Sequence, residues 1–598
     1  MNVYKTGCLL ILNLLLSCPI FANPLIINID GRRTMSLNSK WQYIVDPYEL
    51  GYYNYRYEPD PNGWFKNARP ENRWDLIEYS FDNSRLLQVP GDWNTQDEKL
   101  YYYEGTIWYK KDFNYTLKSG RRLFLYFGAA NYKAKVFLNG TFIGHHIGGF
   151  TPFNFEITPL IRPGNNFIVV KVDNKRQREG VPTLNTDWWN FGGLTRRVAL
   201  VDVPDTFIQD YFIQLRKGAA DQIEGWIQLN GNLKTTLRLS IPELEISKLF
   251  KPDGTGRATF RIQAEPELWS PNNPRLYRVR IVSDADTVEE CIGFRTLDTD
   301  GYDILVNGDP VFLRGICIHE QTPRGGRAGT ETQARTLLSW AKQLNCNFVR
   351  LAHYPHNEYM TRLADEMGIM VWAEIPVYWT ILWNNPPTYA NAENQLKEII
   401  IRDKNRASVI LWSMANETPR VEGRLEFIRN LAIRARALDP TRLLTAAMER
   451  HYIDSKTQMI DDPLGKYLDV FGCNEYIGWY DGLPEKCDTI VWKMKYEKPL
   501  IISELGGGAL QGYHGDSLTR WTEEYQENLY RHQVNMLKKI PFLRGSTPWI
   551  LMDFQSPRRP LTGIQDGWNR KGLISDNGQK KKAFQILKRW YDEIETEK

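Results

Sequence analysis

The chain has 598 residues, of which 42% are hydrophobic and 24% are charged, and its formal net charge is +4. This composition is typical of a globular protein, so it excludes a disordered chain, a collagen and a small disulfide scaffold. The nearly balanced charge excludes the strongly basic surface that nucleic-acid binders need, so we expect no nucleic-acid partner. Aromatic residues make up 13% of the chain, which is compatible with a large aromatic core or with clefts that stack against sugar rings.

The first 22 residues have the pattern of a secretory signal peptide. A lysine precedes an apolar stretch at residues 8–16, which is too short for a membrane span of about 20 residues, and small residues follow up to Ala22. We therefore expect residues 1–22 to be removed and the protein to be periplasmic or secreted. A lipoprotein cleavage site, which would anchor a surface protein through Cys18, is an open alternative. No other segment predicts a membrane span.

The cysteines predict neither a disulfide framework nor a zinc site. Seven are present, and five remain after removal of residues 1–22, without a CxxC pair or a Cys/His spacing typical of metal ligands. Cys317 and Cys346 lie in apolar strand-like runs, so we expect buried free thiols there.

Residues 23–204 predict a β-sandwich. Short runs of β-branched and aromatic residues alternate with Gly, Pro, Asn and Asp turns, as in antiparallel sheets. The dipeptide Asn139-Gly140 between two such runs predicts a tight hairpin. Residues 46–82 are rich in Tyr, Trp, Pro and Asn but have weak periodicity, so we expect a long ordered loop there. The predicted strands include residues 123–127, 135–138, 167–172 and 197–202.

Residues 205–298 continue the strand pattern in a shorter stretch. Its length suits a smaller, immunoglobulin-like β-sandwich. Nothing in this stretch suggests chemistry. The predicted strands include residues 224–229, 237–241 and 277–281.

Residues 299–598 have a different pattern, in which apolar runs of strand length alternate with amphipathic helical segments. Such alternation over about 300 residues is the signature of a (β/α)8 TIM barrel. The sequence therefore predicts a multidomain chain with two β-sandwiches followed by a barrel. The predicted barrel elements are strands at residues 347–351, 369–373, 409–413, 470–473 and 500–503, and helices at residues 331–344, 357–367 and 424–438.

Two of the predicted barrel strands each lead into a carboxylate. The run at residues 409–413 is followed by Glu417, and the run at residues 500–503 is followed by Glu504. Active groups of such barrels lie at the carboxyl ends of the strands. Retaining glycoside hydrolysis needs two facing carboxylates, of which one attacks the sugar and the other donates a proton to the leaving oxygen. The alternative is that either glutamate only bridges strands at the end of the barrel.

Further polar residues follow other barrel strands, which favours a site over a purely stabilising role. Five strands would bring them to the same end of the barrel. Two competing carboxylates, Glu374 and Glu475, also lie near strand ends, and we rank them as supporting groups. The other polar and aromatic residues at these ends are His319, Arg350, His353, Tyr354, Asn416, Asn474, Tyr476, Trp549 and Asp553.

These motifs resemble glycoside hydrolase family 2 over essentially the whole mature chain. The segments VFLNG at residues 136–140 and GGFTPF at 148–153 resemble the signature of the family's sugar-binding jelly roll. The segments NFVRLAHYP at residues 347–355 and SMANE at 413–417 resemble its two barrel signatures. The resemblance implies a jelly roll, an immunoglobulin-like domain and a catalytic (β/α)8 barrel.

The resemblance also implies roles for the residues at the strand ends. Glu417 would be the general acid/base, with Asn416 holding the sugar 2-hydroxyl, and Glu504 would be the nucleophile. Arg350 and Tyr476 would orient Glu504 and keep it ionised by hydrogen bonding. No metal or organic cofactor is expected, because paired carboxylates supply both the proton and the nucleophile. The remaining candidates would line the site of the terminal sugar, and they are His319, His353, Asn474 and Trp549.

The segment GWNRKGL at residues 567–573 bears on which sugar is bound. Asn569 and Lys571 resemble the Asn-x-Lys motif with which β-glucuronidases bind the uronic acid carboxylate. An ammonium group favours an anionic sugar by a charge-assisted hydrogen bond, whereas a neutral hexose would leave it unpaired. Asp187 and Trp188 resemble the jelly-roll segment that reaches the sugar hydroxyls.

We therefore expect an exo-acting, retaining β-glucuronidase that removes a terminal uronic acid from a glycan or glycoconjugate. A β-galactosidase or a β-galacturonidase of the same family is the alternative, and a non-catalytic carbohydrate-binding protein is a remote one. The loop at residues 376–391 is short, which suggests an open site for the aglycone, the group that is released, and favours an oligosaccharide substrate. The Tyr-rich segment at residues 48–64 would shape that side. The oligomeric state is left open, including a homo-oligomer.

Overall fold

The computed structural model describes residues 24–59, 72–74, 80–322 and 325–596. The predicted signal peptide, with Cys18, lies outside these residues, as do parts of the loop region predicted at residues 46–82 and of its Tyr-rich segment. Within the described ranges, no helix has both the length and the hydropathy that a bilayer crossing requires. The five cysteines in these ranges are free thiols, and Cys317 and Cys346 are buried as predicted.

The first sandwich begins the described chain and consists of two antiparallel sheets. Its strands are β1 (Thr34–Ser36), β2 (Ser39–Val45), β3 (Arg85–Val89), β4 (Thr106–Tyr115), β5 (Arg121–Phe127), β6 (Lys133–Leu138), β7 (Thr141–Ile147), β8 (Phe153–Glu156), β9 (Gly164–Asp173) and β10 (Val198–Pro204). The six-stranded sheet has the order β3-β2-β4-β9-β6-β7, and the four-stranded sheet has the order β1-β10-β5-β8. Large apolar side chains of both sheets, such as Trp41 and Leu125, form the core between them.

The predicted hairpin of this sandwich is confirmed. Asn139 and Gly140 form the two-residue turn between β6 and β7, with φ angles of 52° and 85°. Both positions therefore need the left-handed conformation that Asn and Gly tolerate best. The described start of the predicted loop region is ordered, because the Asp46 carboxylate accepts hydrogen bonds from the backbone of Leu50 and from Trp108 Nε1, both at 2.9 Å.

The second sandwich is smaller and also antiparallel. Its strands are β11 (Phe207–Leu215), β12 (Gln222–Asn230), β13 (Leu237–Ile241), β14 (Ile246–Phe250), β15 (Arg257–Gln263), β16 (Tyr277–Val282) and β17 (Thr287–Ile292). They form sheets of the orders β11-β12-β15 and β14-β13-β16-β17. Buried and half-buried residues alternate along all of β12, as expected for a strand with one face on the core.

A closed parallel barrel follows. The strands of this part are β18 (Leu297–Asp300), β19 (Asp303–Val306), β20 (Asp309–Pro310), β21 (Leu313–Ile318), β22 (Phe348–Leu351), β23 (Met370–Glu374), β24 (Val409–Asn416), β25 (Leu443–Met448), β26 (His451–Tyr452), β27 (Thr457–Ile460), β28 (Phe471–Asn474), β29 (Val491–Met494), β30 (Leu500–Glu504), β31 (Leu543–Ser546), β32 (Phe554–Gln555) and β33 (Trp568–Asn569). The barrel closes in the order β21-β22-β23-β24-β25-β28-β30-β31. The predicted fold class is therefore confirmed.

Six α-helices of the described chain lie around or after the barrel strands. They are α1 (Glu331–Gln343), α2 (Glu358–Met367), α3 (Pro386–Asp403), α4 (Arg424–Leu438), α5 (Glu523–Leu537) and α6 (Ala583–Thr596), and short 3-10 helices lie at Glu98–Leu100, Pro242–Leu244, Pro463–Lys466 and Pro484–Thr489. The Thr330 side chain caps α1, and Gly368 ends α2 in the left-handed conformation, with φ of 64°.

Two details of the predicted barrel are wrong. Residues 386–391, which we assigned to the loop after the third strand, are the start of α3, because Asn385 caps the helix and proline suits its first turn. In addition, two crossovers lack an α-helix in the described chain. The connection from β25 to β28 contains β26, β27 and a 3-10 helix, and the connection from β28 to β30 contains a 3-10 helix and β29.

The two sandwiches contact opposite ends of the barrel. A loop of the first sandwich reaches the carboxyl ends of the strands, where the backbone N–H of Trp189 donates to the carbonyl of Gln555 at 3.0 Å. The second sandwich lies near the amino end of β24, where Lys404 Nζ donates to Asp210 at 2.6 Å. The first sandwich can therefore supply side chains to the mouth of the barrel.

Candidate active site

The two predicted carboxylates lie at the same mouth of the barrel. Glu504 is the last residue of β30, and Glu417 directly follows β24. All eight barrel strands are parallel, so their carboxyl ends meet at this mouth. Glu374, the last residue of β23, lies at the same level, because it pairs with Ser413 of β24.

Glu504 is held by hydrogen bonds at both carboxylate oxygens. Arg350 Nη1 donates to Oε1 at 2.9 Å, and the Tyr476 hydroxyl donates to Oε2 at 2.7 Å. Burial and the charge of Glu417 nevertheless raise the pKa of Glu504, although Arg350, His353 and Tyr476 lower it. The predicted hydrogen bonds are present, and they oppose the effect of burial and of the second carboxylate on this pKa.

Arg350 connects the candidate residues of three strands. Its guanidinium is fully buried and donates to Glu374 at 3.1 and 3.2 Å and to Asn416 Oδ1 at 2.6 Å, in addition to Glu504. Burial alone would lower the pKa of Arg350, but the carboxylates of Glu374 and Glu504 raise it above its ordinary value. A buried charge of this kind persists only when it is paired and hydrogen-bonded. Glu374 therefore acts as a second anion that balances Arg350.

Glu417 has different neighbours from Glu504 and is half-buried. Asn474 Nδ2 donates to its Oε1 at 3.0 Å, and Trp379 Nε1 donates to its Oε2 at 2.8 Å. Its φ angle is 48°, in the left-handed region that a residue with a side chain rarely adopts. The neighbouring Asn416 Nδ2 is buried without a hydrogen-bond partner among the described residues, so it is free to donate to a bound molecule.

Both predicted histidines lie beside these groups. His353 Nδ1 is 2.8 Å from Glu374 Oε1, and its ring stacks on Trp549 with centroids 4.7 Å apart. His319 Nδ1 is 3.0 Å from the Tyr354 hydroxyl, whereas its Nε2 is buried without a partner among the described residues. Burial and the neighbouring cations hold the pKa of His319 well below its ordinary value, so this imidazole is neutral.

Three aromatic residues that we expected near the sugar are buried. Trp188, Tyr354 and Trp549 are each less than 4% exposed and belong to one aromatic cluster below the mouth. Tyr354 stacks on Phe150 of the first sandwich, with centroids 4.3 Å apart. Trp188 and Tyr354 pack the first sandwich against the barrel, Trp549 lies beside the two histidines, and Tyr476 is half-buried beside Glu504.

The remaining candidates form a polar cluster between the first sandwich and the barrel. Asp187 accepts hydrogen bonds from Asn569 Nδ2 at 3.1 Å, from Ser556 Oγ at 2.6 Å and from Arg559 Nε at 3.0 Å. Asn569 Oδ1 in turn accepts from the backbone N–H of Lys571 at 3.2 Å. The structure thus brings Asp187, Asn569 and Lys571 together, as predicted.

Lys571 lies close to the Glu504 side of the mouth. Its Nζ donates to the Tyr480 hydroxyl at 2.8 Å and is 5.5 Å from the centre of the Tyr476 ring. The side chain is almost buried, with 4% of its surface exposed, and it makes no ion pair with any described residue. Burial would raise the pKa of Tyr480, but Lys571 and Arg559 lower it below its ordinary value.

Two predicted polar residues serve other purposes. Asp553 is fully buried and accepts from Lys581 Nζ at 2.8 Å and from the backbone of Gly572 at 2.9 Å, so it anchors the Lys571 loop from behind. Glu475 accepts from the backbone of Ile477 at 2.8 Å, and burial raises the pKa of its carboxyl to about 7. Its other oxygen has no partner among the described residues.

Sequence reasoning missed three residues at the mouth. Trp379 follows β23 within the same strand-end pattern that indicated the other candidates, and Tyr480 lies four residues after Tyr476, so both could have been found. Arg559 lies in an irregular segment between β32 and β33, and no local pattern indicates its contact with Asp187.

No group of three or more metal-ligating side chains occurs among the residues that the structure describes. The mouth presents carboxylates, amides, hydroxyls and cations. Such a set can transfer protons and bind a polar, anionic ligand.

Comparisons with known proteins agree with this arrangement. The family model described as glycosyl hydrolases family 2, sugar binding domain, matches residues 35–204. The model described as glycosyl hydrolases family 2, TIM barrel domain, matches residues 298–596. A protein of Paenibacillus borealis named beta-glucuronidase is 30% identical over 596 residues, which cover 90% of this chain and 95% of the relative.

Two solved structures share the fold. The beta-glucuronidase of Bifidobacterium dentium complexed with coumarin-3-O-glucuronide superposes with a TM-score of 0.80 at 25% identity, covering 94% of this chain and 97% of the other. The beta-galacturonidase of Eisenbergiella tayi bound to galacturonate superposes with a TM-score of 0.78 at 24% identity, covering 95% and 98%. The predicted resemblance is confirmed: the chain belongs to glycosyl hydrolase family 2 and is a glycoside hydrolase.

Proposed function

We propose that this glycoside hydrolase is an exo-acting, retaining β-glucuronidase that releases a terminal uronic acid from a glycan or glycoconjugate. The observation that carries the proposal is the Lys571 ammonium group, which is almost buried beside Tyr476 and Tyr480 and makes no ion pair within the described chain. The relatives named beta-glucuronidase, such as that of Paenibacillus borealis, support it.

A buried ammonium group without a counter-ion is costly, and a ligand carboxylate would remove that cost. Asp187, the described carboxylate of this cluster, is already paired with Arg559 and does not form an ion pair with Lys571. A neutral hexose would leave Lys571 unpaired in a partly desolvated pocket. The pocket therefore favours a sugar with a carboxylate at C6.

In the proposed reaction, ionised Glu504 attacks the anomeric carbon, and Glu417 donates its proton to the glycosidic oxygen as the bond to the aglycone breaks. Water then attacks the covalent intermediate, Glu417 takes its proton, and Glu504 leaves. Burial and the charge of Glu417 raise the pKa of Glu504, whereas Arg350, His353 and Tyr476 lower it and favour the ionised form that attacks the sugar. Arg350 and Tyr476 position Glu504 for attack.

The other polar groups have assignable parts in this reaction. The unpartnered Nδ2 of Asn416 would donate to the sugar 2-hydroxyl. Asn474 and Trp379 orient the Glu417 carboxyl through its two oxygens. Neutral His319 offers an unpartnered Nε2 to the sugar.

The substrate is tested with a panel of 4-nitrophenyl β-glycosides: glucuronide, galacturonide, galactoside and mannoside. We expect the glucuronide to have the highest kcat/KM, and K571M to lower that value by at least about 100-fold, because the buried charge pair is lost. The matched control is K580M, because Lys580 is an exposed lysine of the same segment. Unchanged glucuronide hydrolysis in K571M with strong galactoside hydrolysis would indicate a β-galactosidase, and a preferred galacturonide would indicate a β-galacturonidase.

The retaining mechanism is tested separately. The first-formed sugar should be the β-anomer by NMR, and E504Q should abolish turnover without abolishing ligand binding. A 2-fluoro glucuronide should label Glu504. An α-anomer as first product, or a label on another residue, contradicts the proposed mechanism.

We also propose that the protein is exported, as the first 22 residues suggest. Amino-terminal sequencing of the mature protein from its source should begin at Asn23. Lipidation at Cys18 would instead yield a blocked, detergent-soluble protein, and an intact Met1 in the purified protein would contradict export.

A further inference from the structure

Trp379 contacts Glu417, the proposed acid. Its Nε1 donates to Glu417 Oε2 at 2.8 Å, and its backbone N–H donates to the carbonyl of Asn416 at 2.9 Å. The group bonded to the glycosidic oxygen lies next to the acid that protonates this oxygen. Because Trp379 contacts that acid, the first residue of the aglycone has to pass close to the indole.

Arg558 lies over the same indole. Its guanidinium carbon is 5.1 Å from the centre of the Trp379 ring, and its Nη1 donates to Asn185 Oδ1 of the first sandwich at 2.6 Å. The side chain is exposed. Three segments that are distant in sequence thus meet to hold one cation at the mouth.

Arg558 differs from its neighbour Arg559 in its electrostatic partners. Arg559 is neutralised by Asp187, whereas no carboxylate of the described chain forms an ion pair with Arg558. Its known partners, the Asn185 amide and the Trp379 ring, carry no net charge. The mouth therefore presents a positioned, uncompensated guanidinium beside the acid, in addition to Lys571 in the pocket of the terminal sugar.

We propose that Trp379 and Arg558 form an aglycone subsite for an anionic group, so that the substrate is a glycan whose residue next to the terminal uronic acid carries a carboxylate or a sulfate. The inference rests on the proposed role of Glu417 as the acid. A guanidinium offers parallel N–H groups that match carboxylate and sulfate oxygens. Because Arg558 is exposed, water replaces the anion at little cost when the aglycone is neutral. The subsite therefore favours substrates with an anionic aglycone over those with a neutral one.

The test compares pairs of aryl β-glucuronides that differ in the charge of the aglycone. The anionic probes are the 3- and 4-carboxyphenyl and the 4-sulfophenyl glucuronides, and the neutral partners are the corresponding carbamoylphenyl and sulfamoylphenyl glucuronides. For each pair the readout is the ratio of the two kcat/KM values, which cancels effects on folding and on the catalytic groups. We expect R558A to lower this ratio by about three- to tenfold for at least one pair, and R558K to retain most of it.

The matched control is R238A, because Arg238 is an exposed arginine of the second sandwich that also contacts a neutral side-chain oxygen, Ser247 Oγ at 3.2 Å. Its ratios should equal those of the wild type, and 0.5 M NaCl should reduce the wild-type ratio toward that of R558A. The carboxylate and sulfonate pairs distinguish the two kinds of anion.

An equal ratio in wild type and R558A for every pair would overturn the proposal. The outcome is separable from the identity of the terminal sugar. If the panel of glycosides reveals a galactosidase or a galacturonidase, the same charged and neutral aglycones are attached to that sugar, and the ratio is measured again. Failure of the substrate assignment and failure of the aglycone subsite therefore give different results.

Discussion

The two β-sandwiches have similar architecture but contact the barrel at different ends, and only the first contributes to the candidate site. The first sandwich places Asp187 among Asn569 and Arg559 at the mouth. The second sandwich contacts the amino-terminal side of β24 through Asp210 and Lys404. The position of a sandwich against the barrel, and not its fold, therefore decides whether it takes part in chemistry.

Among the variants at the two sandwiches, the largest expected effect comes from breaking the contact of the first sandwich with the mouth. D187N changes a carboxylate that accepts hydrogen bonds from three residues and leaves the partly buried Arg559 without its counter-charge. We expect kcat/KM for 4-nitrophenyl β-glucuronide to fall by about 100-fold or more, because losing one partner of such a pair costs about 2–5 kcal/mol. Steady-state kinetics at equal protein stability measure the effect. Near wild-type kinetics in D187N would show that the first sandwich is only structural.

The second sandwich should respond in the opposite way. D210N leaves the buried Lys404 ammonium without its carboxylate partner, and we expect the free energy of unfolding to fall by about 3 kcal/mol. The kcat/KM of the folded variant should stay within twofold of the wild type. Urea denaturation and kinetics measure the two quantities. D221N, at an exposed aspartate of the same sandwich, is the control and should change neither, whereas a large kinetic effect of D210N would contradict the comparison.

A buried carboxyl group within the barrel, unlike these interface contacts, should make a contribution to stability that depends on pH. Because burial raises the pKa of Glu475 to about 7, the folded protein retains a proton there that the unfolded chain loses near pH 4.5. The contribution of Glu475 to the stability of the wild type should therefore fall as pH rises from about 4.5 to 7 and level off above 7.

E475Q removes this proton linkage. Its stability relative to the wild type should improve by about 3 kcal/mol between pH 4 and pH 8, as measured by urea denaturation at several pH values. A difference between E475Q and wild type that stays constant over this range would contradict a raised pKa. The control is E485Q, because Glu485 is an exposed glutamate close in sequence.

The smallest expected effect concerns a contact of the first sandwich that lies away from the mouth. His146 Nε2 is 3.0 Å from Glu398 of α3. E398Q should lower the free energy of unfolding by about 1 kcal/mol, because it replaces a charged acceptor by a neutral one, and should leave kcat/KM unchanged. Thermal unfolding and kinetics measure both. A kinetic defect in E398Q comparable to that of D187N would show that a contact of the first sandwich need not lie at the mouth to affect catalysis.

The strand ends explain how much of the site was predictable. Glu417, Glu504 and Arg350 each come at or near the end of an apolar run, and parallel strands necessarily bring such positions to one end of a barrel. The same rule misplaced Tyr354, because the chain turns after Arg350 and the ring packs against Phe150 from another domain. A local pattern indicates where a strand ends, but not which distant side chain covers the next residue.

The positions of strand ends do not predict contacts between residues that are far apart in the sequence. Arg559 and Asp187 are separated by 372 residues, and neither neighbourhood indicates the other. The direction in which the pKa of Glu504 shifts was also unpredictable, because it depends on the balance between burial, Glu417 and Arg350. Secondary structure was more accessible: the strand Leu237–Ile241 and the helix Arg424–Leu438 have the predicted bounds, since turns and caps are local.

The contact between Asp187 and the loop of Arg559 and Lys571 has a consequence for the order in which the molecule is assembled. The first sandwich is synthesised early, but the partners of its Asp187 carboxylate lie 369 to 382 residues later in the chain. A chain that ends before residue 556 lacks Ser556, Arg559 and Asn569, so the cluster around Asp187 cannot form in it. Completing this end of the candidate site therefore requires residues from both the amino-terminal and the carboxy-terminal parts of the described chain.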